Sequence, residues 1–326
     1  MDLQKRSIRI GATAIICALL LRLGADGVFQ WALADPKTGA TLLFLETGYW
    51  VRPGNTQKPV QEYTELMPSV EPSQLKRTPA EFEPADAALV KVNSVCGYDT
   101  DLPAWLAQPL GWELQQEEPT VLILHTHGTE SYEKTEDYEE SSAYRTRNTD
   151  YNVVSVGTRL AEKLEENGIR VIHDTQMHDY PSYNDSYNNA RESMEKYLAE
   201  NPQISMVLDI HRDAVENSGD QLAVSVTDGE QKIAQLMLVV GTDASGLYHP
   251  DWPENMSLAV KLHAQLEKDT PGICRPISFR RQRFNQDLSP GALIVEVGSA
   301  GNTRQEALLA ADKLADAIIA LSAGTA

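Results

Sequence analysis

Val121-Leu-Ile-Leu-His-Thr-His-Gly-Thr-Glu130 is an apolar run that breaks abruptly into two histidines and a glutamate. Two later stretches follow suit: Met206-Val-Leu-Asp-Ile-His211 ends on a histidine and Ala292-Leu-Ile-Val-Glu296 on a carboxylate. Short contiguous apolar runs read as strands buried on both faces, the habit of parallel sheets. Between them lie segments of helical period. Val153, Val156, Leu160 and Leu164 share one face of a helix expected over 152–167, with Gly168 as its stop. A strand over 169–173, a helix near 187–200, a strand over 204–211 and helices over 254–268 and 304–321 follow. Asp228-Gly229, between segments 221–227 and 232–240, carries a hairpin signature. The basic stretch 273–284 is expected to be extended. The alternation predicts an α/β fold with a mixed, mostly parallel sheet flanked by helices.

Ligands of such sheets sit beyond the carboxyl ends of the strands. His125, His127, His211 and Glu296 are all expected there. Catalytic zinc sites take three nitrogen or oxygen ligands from the protein and leave a position for water. His127 and Glu130 make an H-x-x-E step on a tight turn, and His211 completes a three-ligand set from a distant strand. Asp150, just ahead of the first helix, is the alternative to Glu130 as carboxylate ligand, or else that helix's N-cap. Glu296 follows four apolar residues, where an unpaired carboxylate is costly. Burial raises its pKa toward the range of a general base, unless Arg280, Arg281 or Arg283 pairs with it. Asp209 or Asp213, flanking His211, is expected to orient its imidazole. His125, on the same side as His127, is expected beside the ligands or facing substrate. His178 is placed in a loop bordering the cleft, Asn285 and Gln286 on its wall, and His173, His249 and His263 in structure or on the surface. The aromatic and amide-rich loop Tyr180–Asn189 suits sugar or peptide contacts.

The 326 residues carry 47 acidic against 28 basic side chains, a net charge of −19, and no basic cluster that would track phosphates. Nucleic acid is therefore excluded as a partner. Lys5, Arg6 and Arg9 precede the apolar run 10–21, which is followed by Arg22. As a helix that run spans roughly 18 Å, and snorkelling arginines are needed to cross a ~30 Å hydrocarbon core. Residues 1–34 are thus expected to be a cytoplasmic stub with a membrane anchor, or a signal cleaved near Ala34. Either reading exports the rest. Residues 35–90, with scattered prolines, are expected to be an extended or disordered spacer, and 91–326 the extracytoplasmic domain with its core at 119–324. Trp105 and Trp112 are expected to pack on that domain. Cys96 and Cys274 are either free or paired.

Five segments resemble the stage II sporulation protein P family: Val121–Tyr132, Asp150–Gly157, His173–Tyr187, Leu208–Ala214 and Asn285–Thr303. The resemblance implies a membrane-anchored peptidoglycan hydrolase that uses zinc to cut the N-acetylmuramoyl–L-alanine amide bond, with associated endopeptidase action on cross-linked stem peptides. It further implies a fold akin to zinc amidases and carboxypeptidases, a role in septal engulfment, and stage II sporulation proteins D and M as partners. His127-Gly128, Ile210-His211 and Glu296 correspond to the amidase site. The middle ligand departs, since those amidases place a glutamate before the first helix, where this chain offers Asp150 or Asn148. The competing functions are a membrane-anchored, non-catalytic peptidoglycan-binding module and a zinc carboxypeptidase trimming stem peptides.

Overall fold

The computed structural model describes residues 64–66, 79–111, 113–134, 144–217 and 219–323, all within one unit, Lys58–Ala326. The expected anchor at 1–34 and Trp112 lie outside them. No helix among the described residues is long and apolar enough to cross a membrane. The strands are β1 (Thr64–Leu66), β2 (Val92–Ser94), β3 (Val121–Leu124), β4 (Val171–Asp174), β5 (Met206–Asp213), β6 (Glu216–Asn217), β7 (Asp220–Gln221), β8 (Ser225–Asp228), β9 (Gln231–Ala234), β10 (Leu236–Val240), β11 (Ile277–Phe279) and β12 (Ala292–Ser299). The helices are α1 (Leu102–Ala107), α2 (Val153–Glu166), α3 (Ser186–Glu200), α4 (Trp252–Asp269) and α5 (Arg304–Ala323).

Eight strands form one sheet in the order β1-β4-β3-β5-β12-β10-β11-β2. β4, β3, β5 and β12 run parallel, as their contiguous apolar runs require. β10 enters antiparallel to β12, and β1 closes the far edge antiparallel to β4. Alternate side chains of β3 and β5 divide between two cores. Val121, Ile123, Leu208 and Ile210 pack with α2, α4 and α5, whereas Leu122, Leu124 and Val207 pack with α3. Each such side chain, fully buried, contributes about 1.5–3 kcal/mol. The chain leaves β3 for β4 on one side through α2, then crosses back through α3 to β5 on the other side. The strand order therefore reverses between β3 and β5, which opens a crevice at their carboxyl ends.

Three expectations need correction. Asn152, not Asp150, caps α2, with its side chain accepting from the Val154 amide at 3.0 Å. The turn at Asp228-Gly229 does close a hairpin, but of β8 with β9. Residues 236–240 leave it to become β10 of the main sheet. The spacer is ordered from residue 79: Phe82 and Ala87 pack on the core, and the Ala80 amide bonds the Ala320 carbonyl at 2.9 Å. β1, too, falls inside that stretch. Cys96 and Cys274 are free and buried. Trp105 packs edge-on against Trp252 and Phe279, as expected.

Gly157 sets how closely α2 approaches the sheet. A Cβ there would lie 2.6 Å from His125 Nε2 and 2.7 Å from His173 Nε2. The two rings are buried and held together at 2.9 Å, so neither is free to swing away. Gly157→Ala is therefore expected to destabilise. The clash costs about 1–3 kcal/mol, which exceeds the up to ~1 kcal/mol that alanine gains in a helix. Thermal unfolding checks this, and an unchanged or higher Tm contradicts it.

Candidate active site

The segment after β3 is folded by its own backbone. The Glu130 amide bonds the His127 carbonyl at 3.0 Å, closing the H-x-x-E turn, and the Val153 amide holds the Glu130 carbonyl at 2.9 Å. Asp209 of β5 ties the start of the turn to the sheet through the Thr126 amide (2.8 Å) and hydroxyl (2.6 Å). Asp179 does the same further along, accepting from the amide and hydroxyl of Thr129. These anchors bring His127 against His211, with imidazole centroids 5.1 Å apart and rings perpendicular at 86°.

Glu130 lies beside His211. Its Oε2 is 3.5 Å from His211 Nδ1 and accepts from the Arg212 amide at 3.2 Å, while its Oε1 meets Arg145 Nη2 at 3.2 Å. Burial alone would raise this carboxyl, but Arg212, His211 and Arg145 together hold it well below the usual range. The other ring edge of His211 faces Asp209, with Nε2 2.9 Å from Oδ1, within ion-pair reach though not aligned as a hydrogen bond. Desolvation opposes a charge on His211, yet Asp209 and Glu130 outweigh it and raise the imidazole well above its ordinary value. His127 is different. Burial lowers it to about 3, so it is neutral. Its Nε2 meets the Tyr183 hydroxyl at 3.1 Å, and its buried Nδ1 has no partner.

Glu296 stands beside His211 in the register of β12 on β5. Both strands continue beyond these residues, to Asp213 and Ser299, so neither side chain is at a strand terminus. The ladder breaks after Glu296, where Gly298 adopts φ 67° and the register shifts. Desolvation pushes the Glu296 carboxyl up to about 8, with Asp213 adding to it, and its buried Oε2 has no partner. The arginines expected to pair with it are elsewhere: Arg281 bonds the Ala244 carbonyl and Arg283 pairs with Asp287.

The remaining candidates move away from the centre. His125 is not substrate-facing. It is wholly enclosed beneath α2, with Nδ1 on the Ile210 carbonyl (3.0 Å) and Nε2 on His173. Asp213 does not orient His211, because it pairs with Arg275 at 2.7 Å, and Asp209 takes that place. Asn285 and Gln286 do not line the cleft as hydrogen bonders to substrate. Asn285 holds the Tyr187 carbonyl, and Gln286 holds the Gly241 amide and the Val239 carbonyl. His178 is buried against Asp174. Asp150 is exposed and lines a groove between α2 and α5 with Arg159 and Arg304, away from the enclosed Glu130. Sequence reasoning missed Arg145, which bridges Glu130 and Asp179, and singled out neither Asp179 nor Tyr183, whose ring stacks on His127 at 4.4 Å and 9°. Only the polar and aromatic composition of their loops hinted at them.

Among the described residues no three His, Cys, Asp or Glu side chains are already closed upon a common point as metal ligands. The donor set nevertheless fits a divalent cation. The partnerless Nδ1 of His127, the Nδ1 of His211 and a carboxylate oxygen of Glu130 supply two nitrogens and an oxygen. A separate carboxylate, Glu296, is adjacent.

The sequence profile of the stage II sporulation protein P family matches residues 53–319. The chain belongs to that family. The stage II sporulation protein P of Bacillus subtilis (strain 168) is 29% identical over 207 residues, 60% of this chain and 49% of that protein. The chain thus spans about half the length of this relative. Among solved structures, an N-acetylmuramoyl-L-alanine amidase from Clostridium difficile 630 is 16% identical, with a TM-score of 0.39 over 63% of this chain and 94% of that one. The CwlD amidase from Clostridioides difficile, solved in complex with the GerS lipoprotein, gives 16% and 0.37 over the same shares. Overlaps of this size transfer neither geometry nor residue roles.

Proposed function

We propose that this chain is a zinc-dependent peptidoglycan hydrolase that cleaves the N-acetylmuramoyl–L-alanine amide bond during septal wall remodelling in sporulation. The observation that carries the reading is the convergence of His127, Glu130 and His211, with a partnerless, basic Glu296 in register beside His211. Membership in the family supports the substrate and the setting. The same reading places the domain outside the cell membrane, anchored by residues 1–34, with stage II sporulation proteins D and M as partners and endopeptidase action on cross-links as an accompanying activity.

His127, Glu130 and His211 would hold the zinc. When bound, zinc acts as a Lewis acid toward the amide carbonyl and makes water a better nucleophile at neutral pH. Glu296 takes the proton of the attacking water as the C–O bond forms. It then passes that proton to the L-alanine nitrogen as the C–N bond breaks. Asp209 keeps His211 in place throughout, and Arg145 does so for Glu130. Because His211 is held protonated between two carboxylates before metal arrives, zinc uptake releases a proton and weakens as pH falls.

Chelation is expected to abolish muropeptide release from purified sacculi, and added zinc to restore it. Mass spectrometry of the products then separates the alternatives. An amidase leaves glycan without peptide, a carboxypeptidase leaves shortened stems, and a binding module leaves the sacculi intact.

A further inference from the structure

We propose that Met237 is a specificity-determining residue: it receives the side chain of the residue that departs as an amine and favours a small apolar one, the methyl of L-alanine. The proposal rests on the reading of the chain as an amidase with Glu296 as its base. Glu296 stands opposite His211 where β12 pairs with β5, and opposite Met237 where β12 pairs with β10. Directly opposed residues share a face of the sheet. His211, Glu296 and Met237 therefore form a row across three strands spaced ~4.8 Å apart. The other residues of β10 and all of β12 are buried, whereas Met237 is partly exposed. It packs with Val239, Ile294 and Phe284, and this cluster includes the partly buried Tyr187. The Tyr187 ring meets His127 edge-on, at 5.6 Å and 89°. An apolar shelf thus runs from the ligand side of the site to the far side of Glu296.

The order of the row fixes how the substrate lies. Its carbonyl belongs over His127, Glu130 and His211, and its departing nitrogen must come within reach of Glu296 to be protonated. The nitrogen then lies on the β12 side of the carbonyl, and the Cα and side chain that follow it extend toward β10. The β3 side is closed by the turn Thr126–Glu130, which Asp209 ties to β5. Toward the upper end of the row stands an ion pair, because the Arg275 amide bonds the Leu236 carbonyl at 2.8 Å and its guanidinium meets Asp213 at 2.7 Å. Apolar contact for the departing side chain comes from the Met237 thioether beside Tyr187. A methionine is unbranched and polarisable, and it moulds to a small group. Apolar pockets of this kind separate substrates that differ by one methylene about 10–200-fold.

Three N-acetylmuramoyl peptides that differ only in their first residue, glycine, L-alanine or L-leucine, test the assignment on the full chain. Wild type is expected to show its highest kcat/KM on the L-alanine substrate. Met237→Ala enlarges the space and is expected to raise the leucine-to-alanine ratio of kcat/KM about 10-fold or more. Met237→Phe fills it and is expected to lower alanine relative to glycine. Damage to the fold or to metal uptake acts on all three substrates alike and leaves the ratios as in wild type. Unchanged ratios in both variants therefore overturn the proposal. A wild-type chain that frees no peptide from any of the three overturns the amidase reading itself.

Discussion

Glu296→Gln is expected to lose amide hydrolysis by about 10²–10⁴-fold, the range of a positioned general base, while zinc uptake stays as in wild type. Glutamine fills the same space in β12 beside His211 but does not hold the water proton. A second consequence is independent of catalysis. In the metal-free chain, burial and the charge of Asp213 set the Glu296 carboxyl at about 8, against an ordinary 4.5. The folded state thus keeps a proton that the unfolded chain releases between those values. The stability this contributes is fully present below about 4.5 and is lost as pH rises through about 8. Glutamine has no such proton to lose. Unfolding of the chelated proteins is therefore expected to favour the variant increasingly from pH 4.5 to 8. Muropeptide release that survives the substitution would remove Glu296 from the reaction, and a pH-independent difference in Tm would show that its carboxyl is not desolvated.

The parts of the fold that read directly from sequence are those whose burial is complete. β3, β5 and β12 lie between helices on both faces, so their residues are apolar in unbroken runs, and any polar residue interrupting them stands out. That is why His211 and Glu296 were identifiable. Parallel pairing then set them side by side, a contact that no local pattern encodes. β2 and β11, three residues each, are too short for a period to emerge, and Val92–Ser94 finds its place only by pairing with Ile277–Phe279. The proline-rich stretch before residue 90 misled in the same way, since Phe82 and Ala87 bury against the core without any periodic neighbours.

Polar residues were harder still, because what an acid or amide does depends on the partner that the fold supplies. Asp213 and Asp209 look alike in sequence, four residues apart and equally spaced about His211. Arg275 claims the first, while Thr126 and the imidazole claim the second. Asn285 and Gln286 read as free to meet a ligand, yet their side-chain amides are taken up by the Tyr187 and Val239 carbonyls. Arg145 and Asp179 come from different loops and meet only in the folded chain, where they pair at 2.8 Å beside Glu130 and Thr129.

That dependence on Asp209 can be tested by removing it. Asp209→Ala is expected to destabilise the metal-free chain by about 3–5 kcal/mol, the usual cost of leaving one member of a buried charge pair alone. His211 would remain enclosed with only Glu130 opposing its charge, and the Thr126 amide and hydroxyl would lose their acceptor together. At ~2–4 °C per kcal/mol for a domain of this size, Tm is expected to fall by roughly 10 °C. Asp209→Asn keeps an oxygen for Thr126 and gives up only the charge, so it is expected to recover much of the stability. Zinc affinity should not recover with it. An amide carries no charge to hold the His211 imidazole from its Nε2 edge, and loss of such support commonly weakens metal binding about 10–100-fold. The pair of variants therefore divides two roles that coincide in one carboxylate, the tether on β3 and the orientation of His211. If the asparagine variant regained stability and full zinc affinity alike, Asp209 would be a tether only, and the site would rely on Glu130 alone to hold His211.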